Sequence, residues 1–349
     1  MLLPILASLT HASGFDAPQV GSVDSGPLTA DPAAVVYNPA LLARLDRPTL
    51  LVGAGLVAGR ARYRRERRGT YGFADDLVLT VPDEADPTRT GLADPIGATP
   101  VAPLGDLFAA TPLGPAALGL GVSVPYAAVL AYPDDGAQRF ALQRTSLLVG
   151  QLSLGAAVAT GPLSVGATID TVLGSGSLAR VQDFAGLEFF SDVVESPPLS
   201  QPNDFGRQAP SDVREQDVLG RDIALRGLAV HATFGAGIAL DLGRSRLAAS
   251  YAHGSPVVFR GRFALDLDDP VFTNDLAPFG LQYPPQVEGD SDFSVATPRR
   301  LRLGLATALG DDRELRLTVT GSDWTRYAAT DIELVSPDLA QPALGLSDT

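Results

Sequence analysis

"LAVHATFGAGIALDL", residues 228–242, decides the fold. Its even positions, Leu228, Val230, Ala232, Phe234, Ala236, Ile238, Leu240 and Leu242, are all apolar, while His231, Thr233, Gly235 and Gly237 stand between them. Successive side chains of a strand point to opposite faces. The stretch is therefore a strand with one apolar and one small, polar face, long enough to cross a membrane. The same alternation sets Leu118, Leu120, Val122 and Val124 against Gly119, Gly121 and Ser123. It also sets Leu163, Val165, Ala167 and Ile169 against Ser164, Gly166, Thr168 and Asp170, and Leu301, Leu303 and Leu305 against Arg300, Arg302 and Gly304.

A soluble sandwich also alternates, so connection lengths have to separate the two cases. About nine strands are expected, beginning near Thr49, Val101, Ala116, Phe140, Pro162, Ile223, Ser245, Pro298 and Arg313. Their connections alternate between short ones, "TPLG" (111–114), "ATGP" (159–162), "DLGR" (241–244) and "LGDD" (309–312), and long ones near 66–100, 132–139, 182–222 and 268–295. Short turns at one end and long loops at the other mark an outer-membrane barrel. The fold class expected is all-β, a transmembrane antiparallel β-barrel. Single-chain bacterial barrels close with an even number of strands, and an open edge in lipid leaves backbone groups unpaired. Nine strands ending in "ALGLSDT" thus carry the expectation of a C-terminal truncation.

Composition agrees. The 349 residues are 45% hydrophobic with 36 Gly, 28 Pro and only 7% aromatic residues, so the apolar content comes in short pieces divided by turn formers. The net charge of −14 and pI near 4.6 argue against a nucleic-acid binder, which needs a basic face. Absence of cysteine excludes disulfides, zinc-thiolate sites and thiol nucleophiles. No run of 18 apolar residues suggests a helical span. Residues 1–12, "MLLPILASLTHA", read as the core of a secretory signal that lacks its basic start; an ordinary first strand is the other reading.

Between this leader and the first strand lies "TADPAAVVYNPALLARLDRP", residues 29–48, whose Asp-Pro, Asn-Pro and Arg-Pro pairs forbid a continuous helix or central strand. It reads as a folded plug. Gly14-Phe15, "YNPA" (37–40) and "LDRP" (45–48) resemble the N-terminal plug of FadL-type outer-membrane transporters of long-chain fatty acids and hydrocarbons. "LGLGVSVPYAAVLAYPDD" (118–135), "YAHGSPVVFRGRFALDL" and "RELRLTVTGSDWTRYAATDIEL" extend the resemblance over nearly the whole chain. It implies a barrel of about fourteen strands, roughly five more than are expected here. The division expected is signal 1–12, plug 13–48 and partial barrel 49–349.

Candidate sites follow, each with a plainer alternative. Asn38, Pro39 and Ala40 resemble the family's plug motif, which packs near a kink in the third strand; alternatively they form an Asx-type turn that only shapes the chain. Pro125 cannot donate to a ladder, so with Tyr126 it marks either a bulge in the wall or the strand's end. In the family resembled, such a kink opens laterally toward the bilayer. Phe184, Leu187, Phe189 and Phe190 in one long loop, and Phe272, Leu276, Phe279 and Leu281 in another, form a capture surface, a cap of loops packed on each other, or both. Arg260, Arg262, Arg300 and Arg302 are expected on lumen faces, able to meet a carboxylate headgroup or lumen Asp residues. Arg60, Arg62, Arg64, Arg65, Arg67 and Arg68 suit either a solvated face or the phosphates of lipopolysaccharide. His231 and His253 have no triad or metal spacing and read as structural; Asp266, Asp268 and Asp269 could hold a cation but read rather as a solvated loop rim.

The function expected is a passive outer-membrane channel for hydrophobic molecules, foremost long-chain fatty acids, with loop capture, plug gating and lateral release. No catalysis, cofactor, metal or nucleic-acid partner is expected. The partners expected are a fatty acid or hydrocarbon and the lipids and lipopolysaccharide of the outer membrane, around a monomer. A non-transporting barrel that scaffolds secretion or surface attachment is the rival, and a lipid hydrolase the third reading.

Overall fold

The computed structural model describes residues 26–64, 70–74, 77–81, 95–134, 136, 138–183, 220–275, 277–279, 282–310, 313–325 and 332–340. One 12-stranded antiparallel sheet dominates. Its strands are β1 (Thr49–Ala58), β2 (Val101–Leu113), β3 (Ala116–Ala131), β4 (Arg144–Thr160), β5 (Leu163–Asp183), β6 (Gly220–Leu242), β7 (Ser245–Ala252), β8 (Pro256–Asp266), β9 (Gln286–Ala296), β10 (Arg299–Ala308), β11 (Glu314–Asp323) and β12 (Ile332–Val335). The order is a meander from β1 through β7 to β10 and β11. β8, β9 and β12 prolong it at the long-loop end: β8 continues β7, β9 precedes β10, and β12 follows β11. Among the described residues this makes nine successive wall positions, as the sequence suggests.

Which face is exposed answers the membrane question. Along β6 the apolar even residues point outward, with Leu228 70% and Val230 76% exposed, while the odd residues are buried or half-buried. Leu50, Leu118, Leu154, Ile169, Leu173, Leu301 and Leu317 also stand exposed on the neighbouring strands. A soluble sandwich would bury this face. Here the polar, small face is inside, which is the arrangement of a sheet whose outer solvent is lipid. No helix of the described residues is long and apolar enough to cross a membrane.

Three of the short connections are two-residue turns that begin with Gly114, Gly161 and Gly243, at φ of 71°, 54° and 69°. A positive φ in the first turn position fits the right-handed strand twist and excludes most side chains. All three lie at the same end. The long connections lie at the other, although the one expected over 268–295 is shorter: β9 already begins at Gln286. Strands reach far beyond the bilayer on that side. β6 has 23 residues, against the roughly 9–11 that a tilted membrane strand needs.

The inner face is filled. Residues 26–45 lie inside the curled sheet, with a four-residue helix, Ala34–Tyr37, and a 3-10 helix, Pro39–Arg44; Asp46, Arg47 and Pro48 are exposed on the way to β1. Leu28, Val35, Leu41 and Leu42 join Phe108, Ala117, Ala157, Ala239, Ala248 and Ala306 in one buried cluster. Above it, Tyr126, Val149, Val172, Ala229, Val257 and Phe259 form a second. At the long-loop end Ile223, Leu225, Phe263, Leu265, Leu267, Phe272 and Val287 form a third.

Candidate functional site

Between the lower and middle clusters lies a chamber of about 290 Å³. Val36 and Tyr37 of the inner segment bound it on one side, and Ser123, Pro125 and Tyr126 of β3 on another. Arg300 and Arg302 of β10, Asp170 of β5 and Gln151 of β4 give it a polar lining. A larger hollow of about 440 Å³ opens between Ile238, Leu247, Leu303, Leu305 and Val319 on the outward face, where lipid rather than a transported molecule would fill it.

The inner segment is seated by glycine. A Cβ on Gly166 would stand 2.5 Å from the Pro39 carbonyl carbon, and one on Gly304 2.5 Å from Leu28 Cγ. Gly119, Gly121 and Gly155 likewise face Val35 or Leu42 within 2.9 Å of where a Cβ would be. The small face read from the sequence is thus a socket. Asn38, fully buried, pins the segment there: its amide donates to Pro27 O (3.1 Å) and to Ile238 O of β6 (3.3 Å), and its oxygen accepts from Ala40 N (3.2 Å). Asn38 therefore both makes the Asx-type turn and holds the wall. Pro39 and Ala40 lie over β5 at Gly166, and Val36 and Tyr37 reach the chamber that borders the third-strand kink.

Charge fastens both ends. Asp241, beside the β6–β7 turn, binds Arg44 Nε (3.1 Å) and Arg246 Nε (2.6 Å), and Arg246 also donates to Leu28 O (3.4 Å). On the chamber side Arg302 donates to Val36 O (3.4 Å) and lies over the Tyr37 ring, 5.2 Å from its centroid. Arg300 lies over Tyr126 at 5.7 Å. Two successive inward side chains of one strand thus touch the inner segment and the kink. Asp170 accepts from Gln151 Nε2 (3.0 Å) and Thr168 Oγ1 (3.4 Å), a polar group that the sequence reading did not single out.

The third strand does not end at Pro125. It runs on to Ala131, but its register against β4 slips between Ser123 and Tyr126, where Val124 and Pro125 oppose Gly150 alone. Its ladder with β2 stops at Asp106 and Ser123, although β2 continues to pair with β1 as far as Val101. Beyond Ser123 the wall is therefore unpaired between β2 and β3 among the described residues. Pro125 supplies the reason, since it has no N–H to offer.

Other expectations meet corrections. Arg260 and Arg262 do not face the lumen. They stand outward, 80% and 69% exposed, beside Asp292 (3.6 Å) and Glu288 (3.8 Å). A slip at 253–255, where β7 gives way to β8, exchanges the faces, so inward residues are even in β7 and odd in β8. Arg300 and Arg302 are inward as expected. Phe272 is wholly buried in the cap cluster, with the Arg221 guanidinium 5.2 Å from its ring centroid and Arg221 paired to Asp269 (2.7 Å). At this residue the loop packs on itself rather than presenting a capture surface. Phe279 closes a short 3-10 helix, Ala277–Phe279. Phe184, Leu187, Phe189, Phe190, Leu276 and Leu281 lie outside the described residues, as do Arg65, Arg67 and Arg68.

No curated protein matches the sequence. Solved structures do match in fold. A Pseudomonas aeruginosa FadL homologue aligns at TM-score 0.67 and 16% identity, over 93% of this chain and 73% of that one. The Ralstonia pickettii toluene transporter TbuX aligns at 0.55 and 15%, over 93% and 75%. The Pseudomonas putida toluene transporter TodX aligns at 0.56 and 15%, over 87% and 69%. The family model "Outer membrane protein transport protein (OMPP1/FadL/TodX)" matches residues 5–340. The outward apolar face, the filled lumen and this match over nearly the whole sequence lead to one conclusion: the chain belongs to the OMPP1/FadL/TodX family of outer-membrane transport proteins, β-barrels and not enzymes.

Proposed function

We propose that the protein is a passive channel that takes hydrophobic molecules, foremost long-chain fatty acids, from the outer surface to the bilayer interior. Residues 26–48 act as its plug, and the gap between β2 and β3 is its exit. The observation that carries this reading is the ladder break at Asp106 and Ser123, which borders the chamber walled by Val36, Tyr37, Pro125 and Tyr126. An apolar molecule leaving there enters lipid directly and gains about 0.8 kcal/mol per methylene removed from water, so no energy source is needed. Arg300 and Arg302 favour a substrate with a carboxylate, because a guanidinium binds that group through paired charged hydrogen bonds. Capture falls to the long loops, with Phe184, Leu187, Phe189, Phe190, Leu276, Phe279 and Leu281 as its candidates. Asn38, Pro39 and Ala40 form the plug's hold on the wall, and its release clears the chamber.

Pro125→Val tests the exit. A β-branched residue with an N–H restores a ladder donor and stiffens the strand. In cells that depend on this protein for uptake, the initial rate of radiolabelled oleate entry falls several-fold while the amount of assembled barrel is unchanged. An unaltered rate with normal assembly rejects lateral release.

A further inference from the structure

The wall is broken a second time. β6 pairs with β8 only as far as Leu228 and Arg260, and with β7 only from Gly235 and Ala252 onward. One further backbone bond, His253 N to Phe234 O (2.9 Å), extends the lower ladder. Residues 229–233 of β6 thus have no ladder partner on that side among the described residues. The interruption continues into the next position, where 253–255 and 297–298 separate β7 from β8 and β9 from β10. It lies at the upper margin of the apolar belt: Val230 and Phe234 beside it face outward, while the outward Arg260–Asp292 pair stands level with Leu228 at its top.

In lipid, bare backbone groups cost several kcal/mol each, so such a seam has to be closed by something. Side chains close it. His231 Nε2 and Ser255 Oγ share a hydrogen bond, and Thr233 donates its hydroxyl proton to His253 O (2.7 Å). Thr297 Oγ1 accepts from Ser255 N (3.1 Å) and donates to Ser255 O (2.9 Å). Outside, the His253 ring stacks on Phe234 with centroids 4.8 Å apart and meets Tyr251 Oη (3.0 Å). Inside, Thr233, Ala252, His253, Thr297 and Pro298 line the same chamber as Pro125 and Tyr126.

We infer that the seam between β6 and the β7–β8 bend is a second lateral opening of the chamber, latched by the His231–Ser255 pair, through which apolar molecules also pass into the bilayer. A strand-to-strand ladder has to break several backbone bonds together to part, whereas side-chain bonds part by rotation about χ angles. Above the single His253 N–Phe234 O bond, the β6 side of the seam has no backbone ladder among the described residues, while Thr297 N donates to Ser255 O (3.1 Å) across the next position. Its Phe234, Tyr251 and His253 rings give a departing apolar molecule a surface to move along. The inference rests on the proposed lateral release and adds a route to it.

The chain has no cysteine, so introduced thiols are the only ones present. His231→Cys with Ser255→Cys, joined by a short bis-methanethiosulfonate reagent, locks the seam reversibly. Oleate entry is measured for the locked protein, for Pro125→Val, and for the two combined. Each change alone leaves a part of the uptake, the combination removes it, and a reducing agent that cleaves the cross-link, leaving two free thiols and no latch, restores it to the Pro125→Val level or above. Uptake lost entirely in Pro125→Val alone, or untouched by the lock in either background, overturns the second opening and leaves the proposed channel standing. Uptake unchanged in the combination overturns lateral release itself. Should the reagent fail to bridge the pair, as read from the mass of the product, Ser255→Ala in the Pro125→Val background decides: cutting the latch raises uptake, and no rise refutes the inference.

Discussion

Gly166→Ala adds one methyl group at the point where the inner segment lies closest to the wall. The new Cβ would stand 2.5 Å from the Pro39 carbonyl carbon, 2.6 Å from Ala40 N and 2.7 Å from Pro39 O. Ordinary contact between such atoms begins at about 3.5 Å, so the segment has to lift by about 1 Å. Its atoms there are backbone, which cannot rotate aside. Overpacking of this kind costs about 1–3 kcal/mol, equivalent to roughly a 5- to 150-fold gain in the unseated population. Ala34 is buried in the seated segment, and a thiol placed there is the only one in the chain. In Ala34→Cys protein, the rate of reaction with a water-soluble maleimide follows the open population when opening is fast relative to labelling. The rate should therefore rise by that factor on adding Gly166→Ala. Gly150→Ala is the control, since its Cβ would meet nothing closer than 3.7 Å. Equal labelling rates in the two assembled variants would refute the idea that glycine seats the segment.

Asp241→Asn removes the charge shared by Arg44 and Arg246, and should raise the same labelling rate by a factor worth about 1 kcal/mol. Repeating it in high salt should shrink the difference, because partly exposed pairs are screened. Burial in the loop cap raises the Tyr283 hydroxyl pKa above the usual tyrosine value. The cap holds its full stability below the unfolded tyrosine pKa and loses it as pH climbs from there through the raised one; Tyr283→Phe should abolish that alkaline loss, read as exchange protection of the Leu267 amide. A cysteine at Asn274, in the long loop, should react with an impermeant thiol reagent on intact cells, while one at Arg244, in a short turn, should not; the reverse pattern would invert the barrel.

The period-two face of β6 is legible without coordinates because every outward position of its lower part meets lipid and has to be apolar. The same logic hides β9. "QVEGDSDFSVA" reads as a polar loop, since Glu288, Asp290 and Asp292 point outward beyond the apolar belt and only Val287, Phe293 and Val295 carry the inward face. The bulge at Pro125 is legible from one missing N–H. The slip at 253–255 is not, because the residues there permit a bend without requiring one, and parity carried through it puts Arg260 and Arg262 on the wrong face. Gly166 and Gly237 are visible as small residues, but their reason is the inner segment, separated from them by a long stretch of sequence. Asp170 looks like any lumen acid until Gln151 and Thr168 are beside it.

That separation has a kinetic meaning. The hairpins β2–β3, β4–β5 and β6–β7 close over two-residue turns, so each can pair as soon as its own residues are available, on the microsecond scale of hairpin formation. The inner segment has no such local partner. Arg302 and Val36, which it needs to bring together, are 266 residues apart, and its socket is shared among strands from β3 to β10. Loop closure over such a distance is worthwhile only once the surfaces to be joined exist. The part of the described chain that leaves the ribosome earliest is thus the last to dock, and until it does the inner face of the newly assembled sheet stands unfilled.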